Sequence, residues 1–582
     1  PPPPPPPLTT TSRQPRFLHR SRGLGDVYKR QADPDTAYRF AKGLPVIHPG
    51  HRARVRIDRP LDFLVVTDHA EGLGAMAELA AGNPLLVDNE RGERWRGMLA
   101  AGELNAVFTE IVALGTDHPE EIAFLNDDKV FRSAWAHIAD TADRHNEPGS
   151  FTAFAGWEWT STPDGLNLHR IVFSPDGKDK AVKYLPFSLN DSEKPRDLWA
   201  WLAKTADEVG TDFIAIGHNS NLSNGRFFPL VDEDGRAIDV EYARLRERWE
   251  PVEEITQYKG DSETHPLLAP SDEFADFERY KHLLDGGPLE HVEGSYARSG
   301  LIRGLQIEAG IGINPFKFGM IGATDTHTGL ASAEESNFLG KYAQDSIPET
   351  KAKETVPGSV GWDASAMGFA AVWATANTRE AIVEAFRRKE VYATTGPRIQ
   401  LRFFGGWDFR ARDAKAKDLA ATGYRKGVPM GGDLSSAPDG KAPSFLISAV
   451  KDPLDGNLDR VQVVKGWVTA DGSARERIYD VAWSDGRQPD GEGGLASVGS
   501  TVSLTTGTYE NSIGATELTT VWTDPDFDPS LRALYYVRVI QIPTPRHTLL
   551  DTIALQQPPE AAGGHASIIQ ERAYSSPIWY SP

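Results

Sequence analysis

The chain has 582 residues, more than one hydrophobic core usually supports, so two folded domains are expected. Its formal net charge of −20 argues against nucleic acid or an anionic membrane as the main partner, and no apolar run is long enough for a transmembrane helix. Because cysteine is absent, disulfides and thiolate zinc sites are excluded, and any metal ion must be held by His, Asp and Glu.

Residues 1–31 differ in composition from the rest of the chain. They begin with seven prolines and contain six basic residues against one acidic residue, Asp26, so the remainder carries a charge of −25. The string SRGLGDVYKRQ is similar to translated sequencing-adapter sequence, and the apolar stretch of a signal peptide is missing. We therefore expect a non-native segment over 1–31, and the sequence leaves periplasmic, secreted and cytoplasmic locations open.

From residue 32 onward, apolar runs end directly in acidic residues or histidine. These runs are LDFLVVTDHAEG, SFTAFAGWEWT, TDFIAIGHNSN and FKFGMIGATDTHTG. Helical stretches such as RSAWAHIADTADRHNE lie between them. The alternation predicts a (β/α) barrel or an open α/β sheet over 32–398, with the chemistry at the C-terminal ends of the strands.

The pattern changes near residue 398. Short β-like runs such as PSFLISAV, RVQVVKGWV and ALYYVRVIQI follow, separated by glycine, aspartate and proline turns. They predict an all-β, sandwich-like second domain over 399–582. The terminal YSSPIWYSP is too apolar for a solvated tail and is expected to dock on the folded protein.

The strand ends supply a set of candidate metal ligands. A lone histidine at a strand end is more often structural, but the repetition of the pattern at successive strand ends favours a shared site. Imidazole and carboxylate together suit Zn, Mn or Fe. The predicted ligands are His69, Glu158, His169, His218, Asp325 and His327.

Further polar residues accompany these ligands. Asp68 is expected to orient a ligand, while Asn219 and the cations Arg170 and Lys259 would stabilise the negative charge of an ester during hydrolysis. The adjacent acids in EPVEEITQ, residues 253–254, are candidate ligands, but a structural role beside a strand is favoured. We find no nucleophile elbow and no dinucleotide-binding motif, so a serine-nucleophile mechanism is not predicted.

The series TDHAE, GWEWTS, NLHR, HNSNLSNG and TDTH resembles the motifs of the PHP (polymerase and histidinol phosphatase) superfamily. Over 32–582 the chain is most similar to a PHP-like family described as domain of unknown function 3604. The resemblance implies a distorted, TIM-like (β/α)7 barrel that holds two or three divalent ions and cleaves phosphate mono- or diesters by a metal-activated hydroxide. It also implies a first strand ending in His-x-His. Because residues 1–31 stand at that position, we expect weakened metal binding and hydrolysis.

Other functions fit the same residues. A sulfate-ester or phosphonate-ester hydrolase would use the same site, and the sequence does not determine the leaving group. In a different class, a metal-stabilised barrel with a β-sandwich could bind carbohydrate without catalysis. The expected partner is a small anionic ester, with no nucleic acid and no membrane, and the oligomeric state stays open.

Overall fold

The computed structural model describes residues 32–582, except 102, 104–105, 108–109, 112–113, 115–117, 284–286, 357–358 and 491–493. The expectations for residues 1–31 lie outside the described residues. Two compact units are present: one contains Met76–Leu125, and the other contains residues 32–75 together with Asn126–Pro582. Among the described helices, none combines the length and apolar character needed to span a membrane.

The α-helices are spread along the whole described chain. Their described bounds are Pro34–Ala41, Ala75–Ala81, Pro84–Val87, Glu90–Ala100, Asp128–His145, Lys178–Ala181, Pro195–Val209, Val240–Trp249, Ala297–Ile311, Arg379–Arg387, Leu419–Lys426 and His547–Ala554. Asp127 caps the longest of them by accepting hydrogen bonds from two backbone amides, and Gly210 ends another in the left-handed conformation.

The first sheets follow in chain order. An antiparallel pair comes first, β1 (Val46–Ile47) with β2 (Arg54–Val55). Seven strands then form a curled sheet that resembles half of a barrel. They are β3 (Phe63–His69), β4 (Thr152–Trp159), β5 (Arg170–Phe173), β6 (Ile214–Gly217), β7 (Val252–Gln257), β8 (Gly260–Asp261) and β9 (Gly319–Gly322).

The curled sheet is mixed in direction. Its order is β3-β4-β5-β6-β7, and both β8 and β9 pair with β7. The β3–β4, β6–β7 and β7–β9 pairs are parallel, whereas β5 is antiparallel to both neighbours. The expected mixed α/β class is therefore confirmed, but the described strands do not close into a full hydrogen-bonded barrel.

Alternation along the strands of the curled sheet separates two apolar layers. Trp157 on β4 points to the helical side, where it packs with Trp135 and Trp199. Phe154 and Ile216 face the concave side, in a second cluster that includes residues of β7 and β9. Because side chains alternate along a strand, the concave face continues to the polar residues at the strand ends.

The remaining strands pair antiparallel with one another, apart from one short parallel pair. They are β10 (Glu354–Val356), β11 (Ser359–Val360), β12 (Phe369–Val372), β13 (Val391–Thr394), β14 (Gln400–Gly406), β15 (Gly427–Pro429), β16 (Asp433–Ser435), β17 (Ser444–Val450), β18 (Leu458–Val468), β19 (Ala474–Trp483), β20 (Glu517–Thr523), β21 (Ala533–Gln541), β22 (Thr544–Pro545), β23 (Ile568–Ile569), β24 (Arg572–Ser575) and β25 (Ile578–Ser581). The two largest groupings follow the orders β12-β13-β24-β21-β18-β19 and β15-β14-β17-β20.

These two sheets share one core. Phe403 and Phe445 from the four-stranded sheet pack with Val463 and Tyr535 from the eight-stranded sheet. Strands β12 and β13 belong to that larger sheet although they precede residue 398, so the expected domain boundary falls inside a shared sheet. A buried core between antiparallel sheets accounts for the β-rich sequence pattern after residue 398.

The C-terminal segment is docked. Ile578, Trp579 and Tyr580 are buried, and β25 pairs with β21 and β16. The expectation that YSSPIWYSP packs against the protein is therefore confirmed.

Candidate metal centre

The polar ends of the curled sheet converge on its concave side. Glu158 lies four residues after Phe154 on β4, and His218 lies two residues after Ile216, so both continue the concave face. His69 ends β3, directly opposite Glu158 in the parallel β3–β4 register. Sequence alternation thus brings together side chains that are far apart in the chain.

Glu158 is the centre of a compact buried group. Its Oε1 lies 2.7 Å from His169 Nδ1 and 3.2 Å from His218 Nε2. Ligand atoms from these three residues all lie within 4.8 Å of one another, and all three residues are buried. Two imidazoles and a carboxylate at this spacing form a donor set that suits a borderline divalent ion.

Two further histidines lie beside this group. His69 Nδ1 is 2.6 Å from Thr160 Oγ1 and 3.7 Å from Glu158 Oε2. The rings of His69 and His327 are 5.5 Å apart, centroid to centroid. His327 therefore extends the group toward the strand end that carries Asp325.

Asp325 is surrounded by positive charge. Its Oδ2 accepts hydrogen bonds from Gln257 Nε2 at 2.9 Å, from Lys341 Nζ at 2.6 Å and from Lys259 Nζ. Its other oxygen, Oδ1, lies 3.7 Å from His327 Nε2, beyond hydrogen-bonding distance. Lys341 was not found from the sequence, because a lone lysine in a loop carries no motif.

The backbone is strained at the same strand ends. Asn219, directly after His218, has φ +54°, and Asp325 has φ +51°. Asn and Asp tolerate this left-handed region better than other non-glycine residues, but it is still sparsely populated. Strain of this kind concentrates at functional sites, where the surrounding structure holds it in place.

The pKa values of Glu158 and His169 depend on each other and on the neighbouring histidines. Burial alone would raise the pKa of Glu158, but His69, His218 and the hydrogen bond from His169 hold it well below its usual range. Burial lowers the pKa of His169 to about 4, against the opposing effect of Glu158. At neutral pH the group is an ionised carboxylate beside a neutral imidazole, and both are in the protonation state that a metal ion requires.

The remaining predicted residues have different surroundings. Asp68 lines the cavity described below, and desolvation by the surrounding protein raises the pKa of its carboxyl group. Asn219 Oδ1 accepts a hydrogen bond from Gln257, while its buried Nδ2 has no partner among the described residues. Arg170 is buried beneath the sheet, where its Nε donates to Glu250 at 2.9 Å. Of these three residues, Arg170 is the one held in a buried ion pair.

A cavity of about 950 Å³ opens beside the strand ends. Its polar lining includes Asp68, His69, Glu158, His218, Glu254, Asp325 and His327. Its deeper lining is apolar and comes from the concave face of the sheet, including Val65, Ile171 and Ile216. The cavity is large enough for a small organic ligand and gives such a ligand access to the histidine and carboxylate group.

The residues present fit a divalent cation. His218 Nδ1 is buried without a hydrogen-bond partner among the described residues, and the ligand atoms around Glu158 are of the hard and borderline types. The class that fold and site define is thus a mixed α/β protein with a buried histidine–carboxylate group able to hold a metal ion.

Comparison with known proteins assigns the family. The sequence profile of a family described as "Protein of unknown function (DUF3604)" matches residues 24–582, and the chain belongs to that family. Searches of curated proteins and of solved structures found no match.

Proposed function

We propose that this protein is a metal-dependent hydrolase of phosphate-type esters. The observation that carries the proposal is the buried group of Glu158, His169 and His218 at the polar end of an accessible cavity. His69, Asp325 and His327 extend the group, so the set is larger than a closed four-ligand structural site needs. The curled sheet is interpreted as part of a distorted (β/α)7 barrel of the PHP type.

Divalent ions held by these side chains would lower the pKa of water from about 15.7 toward 7, which makes hydroxide available at neutral pH. The protein supplies the remaining requirements. Glu158 stays ionised, His169 stays neutral, and the surrounding sheet excludes bulk water from both. An ionised carboxylate and a neutral imidazole are the forms of these side chains that bind metal ions.

Lys259 and Lys341 are suited to bind the anionic part of the ester. Both ammonium groups are held at one carboxylate oxygen of Asp325, and both side chains are largely buried. Two cations facing one anion leave a local positive charge that attracts a second anion. Cations so placed stabilise the negative charge that develops when a phosphate-type ester is attacked.

The test is a substrate screen on the full chain after removal of metal by a chelator. Aryl phosphates, aryl phosphonates and aryl sulfates would each be assayed without metal and after addition of Mn²⁺ or Zn²⁺. We expect slow hydrolysis of a phosphate-type ester that appears only with added metal and is absent in Glu158→Gln. Bound metal without hydrolysis of any ester would refute the proposal, and preferential cleavage of the sulfate would replace the proposed substrate class.

A further inference from the structure

Gln257, the last residue of β7, forms hydrogen bonds with three residues of the candidate centre. Its Nε2 donates to Asn219 Oδ1 and, at 2.9 Å, to Asp325 Oδ2. Its Oε1 accepts a hydrogen bond from the backbone amide of Lys259 at 2.5 Å. Gln257 is buried, and the two residues that accept its N–H groups are those with the left-handed backbone described above. It therefore joins the segments that follow β6 and β9, the strands that pair with β7.

The partners of Gln257 determine how its amide group is turned. Asp325 is ionised between two lysines, so its oxygen can only accept a hydrogen bond, whereas a backbone N–H can only donate one. Asp325 therefore selects the Nε2 of Gln257, and the amide of Lys259 selects its Oε1. Since Nε2 also faces Asn219, the Asn219 atom on that side must be the acceptor Oδ1. Hydrogen-bond chemistry thus assigns Asn219 Nδ2 to the other side of that amide.

The Nδ2 of Asn219 is a donor without an acceptor. Asn219 is 1 % exposed, and its Nδ2 has no hydrogen-bond partner among the described residues. A buried N–H group that lacks an acceptor is unfavourable. Asn219 follows His218, which lines the cavity, and Gln257 connects it to the Asp325 oxygen that binds both lysines. An oxygen anion bound by those lysines would supply the missing acceptor.

We propose that Gln257 is a positioning residue that turns the Asn219 amide so that Nδ2 donates to an oxygen of the anionic group held by Lys259. Asn219 contacts the anion, and Gln257 acts through Asn219 without contacting the anion itself. Because Gln257 also holds Asp325 and the Lys259 backbone, the amide donor and the cation keep one arrangement before the anion binds. The inference rests on the proposed function for the kind of ligand, an oxygen anion, and does not depend on hydrolysis.

The test is a titration of the Mn²⁺-loaded full chain with inorganic phosphate, followed by calorimetry. Gln257→Met removes the three hydrogen bonds with little change in size. Asn219→Gly removes the free donor, and glycine adopts the left-handed backbone without strain. Asn221→Leu is the matched control, because Asn221 is a buried amide whose Nδ2 donates to the backbone carbonyl of Lys259 at 3.0 Å. Gln257→Met and Asn221→Leu each remove one hydrogen bond from the Lys259 backbone, but the bond to the Asn219 side chain belongs to Gln257.

We expect Gln257→Met and Asn219→Gly each to weaken phosphate binding by about tenfold or more, because each removes a well-placed hydrogen bond to a charged ligand. The double variant should bind phosphate no more weakly than Gln257→Met alone, because Gln257 acts through Asn219. Asn221→Leu should stay within about threefold of the unaltered chain. Bound Mn²⁺ is measured in every variant, and we expect Gln257→Met to retain it.

Four results would overturn the inference: no phosphate binding by the unaltered chain, unchanged binding in Gln257→Met, an equal loss in Asn221→Leu, and a loss in Gln257→Met that follows a loss of Mn²⁺. Additive losses in the double variant would also overturn it. Thermal unfolding shows whether the variants fold. If Gln257→Met does not fold, Gln257→Glu takes its place with the same expectation, because it keeps the shape and the acceptor for Lys259 but has no N–H group for Asn219.

The inference and the proposed function can fail separately. Phosphate binding with the expected pattern, but without cleavage of any ester, would refute the proposed function and leave the role of Gln257 intact. Metal-dependent cleavage of a phosphate ester with unchanged phosphate binding in Gln257→Met would support the proposed function and refute the inference.

Discussion

The buried ion-pair network around Arg538 gives the strongest prediction about stability. Arg538 on β21 binds both Asp272 and Glu263, and Arg298 on the helix Ala297–Ile311 binds the same two acids. All four side chains are at most 2 % exposed. Replacing Arg538 by Met therefore leaves buried carboxylate charge without one of its two cations.

The magnitude follows from that burial. Removing one partner of a buried ion pair costs about 3–5 kcal/mol, because the remaining charge stays desolvated. We expect Arg538→Met to lower the free energy of unfolding by this amount at pH 7, measured by urea denaturation of chelator-treated protein. Arg477→Met is the control, because Arg477 pairs with Asp526 on the surface, where solvent screens the attraction. Adding Asp272→Asn to Arg538→Met should recover part of the loss.

The loss should also depend on pH. Burial alone would raise the pKa of Asp272, but Arg538 and Arg298 hold it below its ordinary value of 3.8. A carboxylate with a lowered pKa in the folded state contributes stability above its unfolded pKa of about 3.9, and this contribution disappears as pH falls. The penalty of Arg538→Met should therefore be constant from pH 7 to about 5 and shrink below pH 4. A loss under about 1 kcal/mol, or one that stays the same down to pH 3, would refute the reasoning.

The remaining predictions concern the candidate metal centre, the residues near it and the C-terminal strand. Glu158→Gln should abolish the rise in melting temperature on adding Mn²⁺, and a retained rise would show that the ion binds elsewhere. Arg170→Met should destabilise the protein without changing Mn²⁺ affinity, because Arg170 binds Glu250, and a weakened affinity would contradict this. Lys341→Met should raise KM for an aryl phosphate by about tenfold or more, and an unchanged KM would exclude Lys341 from substrate binding. Trp579→Ala should cost about 3–5 kcal/mol of unfolding free energy, and a near-neutral effect would show that the C-terminal strand contributes little.

Strand periodicity explains why much of the centre was predictable. An apolar run that ends in a polar residue specifies both a buried strand and the place where its side chains meet those of neighbouring strands. His69, Glu158 and His218 satisfy this rule, and the structure brings them to one end of the concave face. The rule does not depend on the order of the strands, so it also applies in this sheet, where β5 is antiparallel to β4 and β6.

Strand periodicity also explains why the structure differs from other expectations drawn from the sequence. Arg170 follows His169 directly, and neighbouring residues on an extended chain face opposite sides, so proximity in sequence placed it away from the metal group. Glu254 lines the cavity, whereas the sequence favoured a structural role for it over a ligand role. Lys341 reaches Asp325 because of the fold of the loop after β9. In this loop the backbone carbonyl of Lys341 accepts a hydrogen bond from the backbone amide of His327. Sheet closure and the shared sheet across residue 398 depend on long-range pairing that local patterns do not encode.

The distribution of charge divides the centre into two functional sides. Glu158 pairs with histidines and with no lysine or arginine among the described residues, so this side of the centre suits a cation. Asp325 binds two lysines, so its immediate surroundings carry a net positive charge even though it is itself an acid. Under the proposed function, an anionic ester would be drawn toward Lys259 and Lys341, and a divalent ion toward Glu158. Under the proposed function, this separation of charge would orient the ester before any hydrogen bond selects its leaving group.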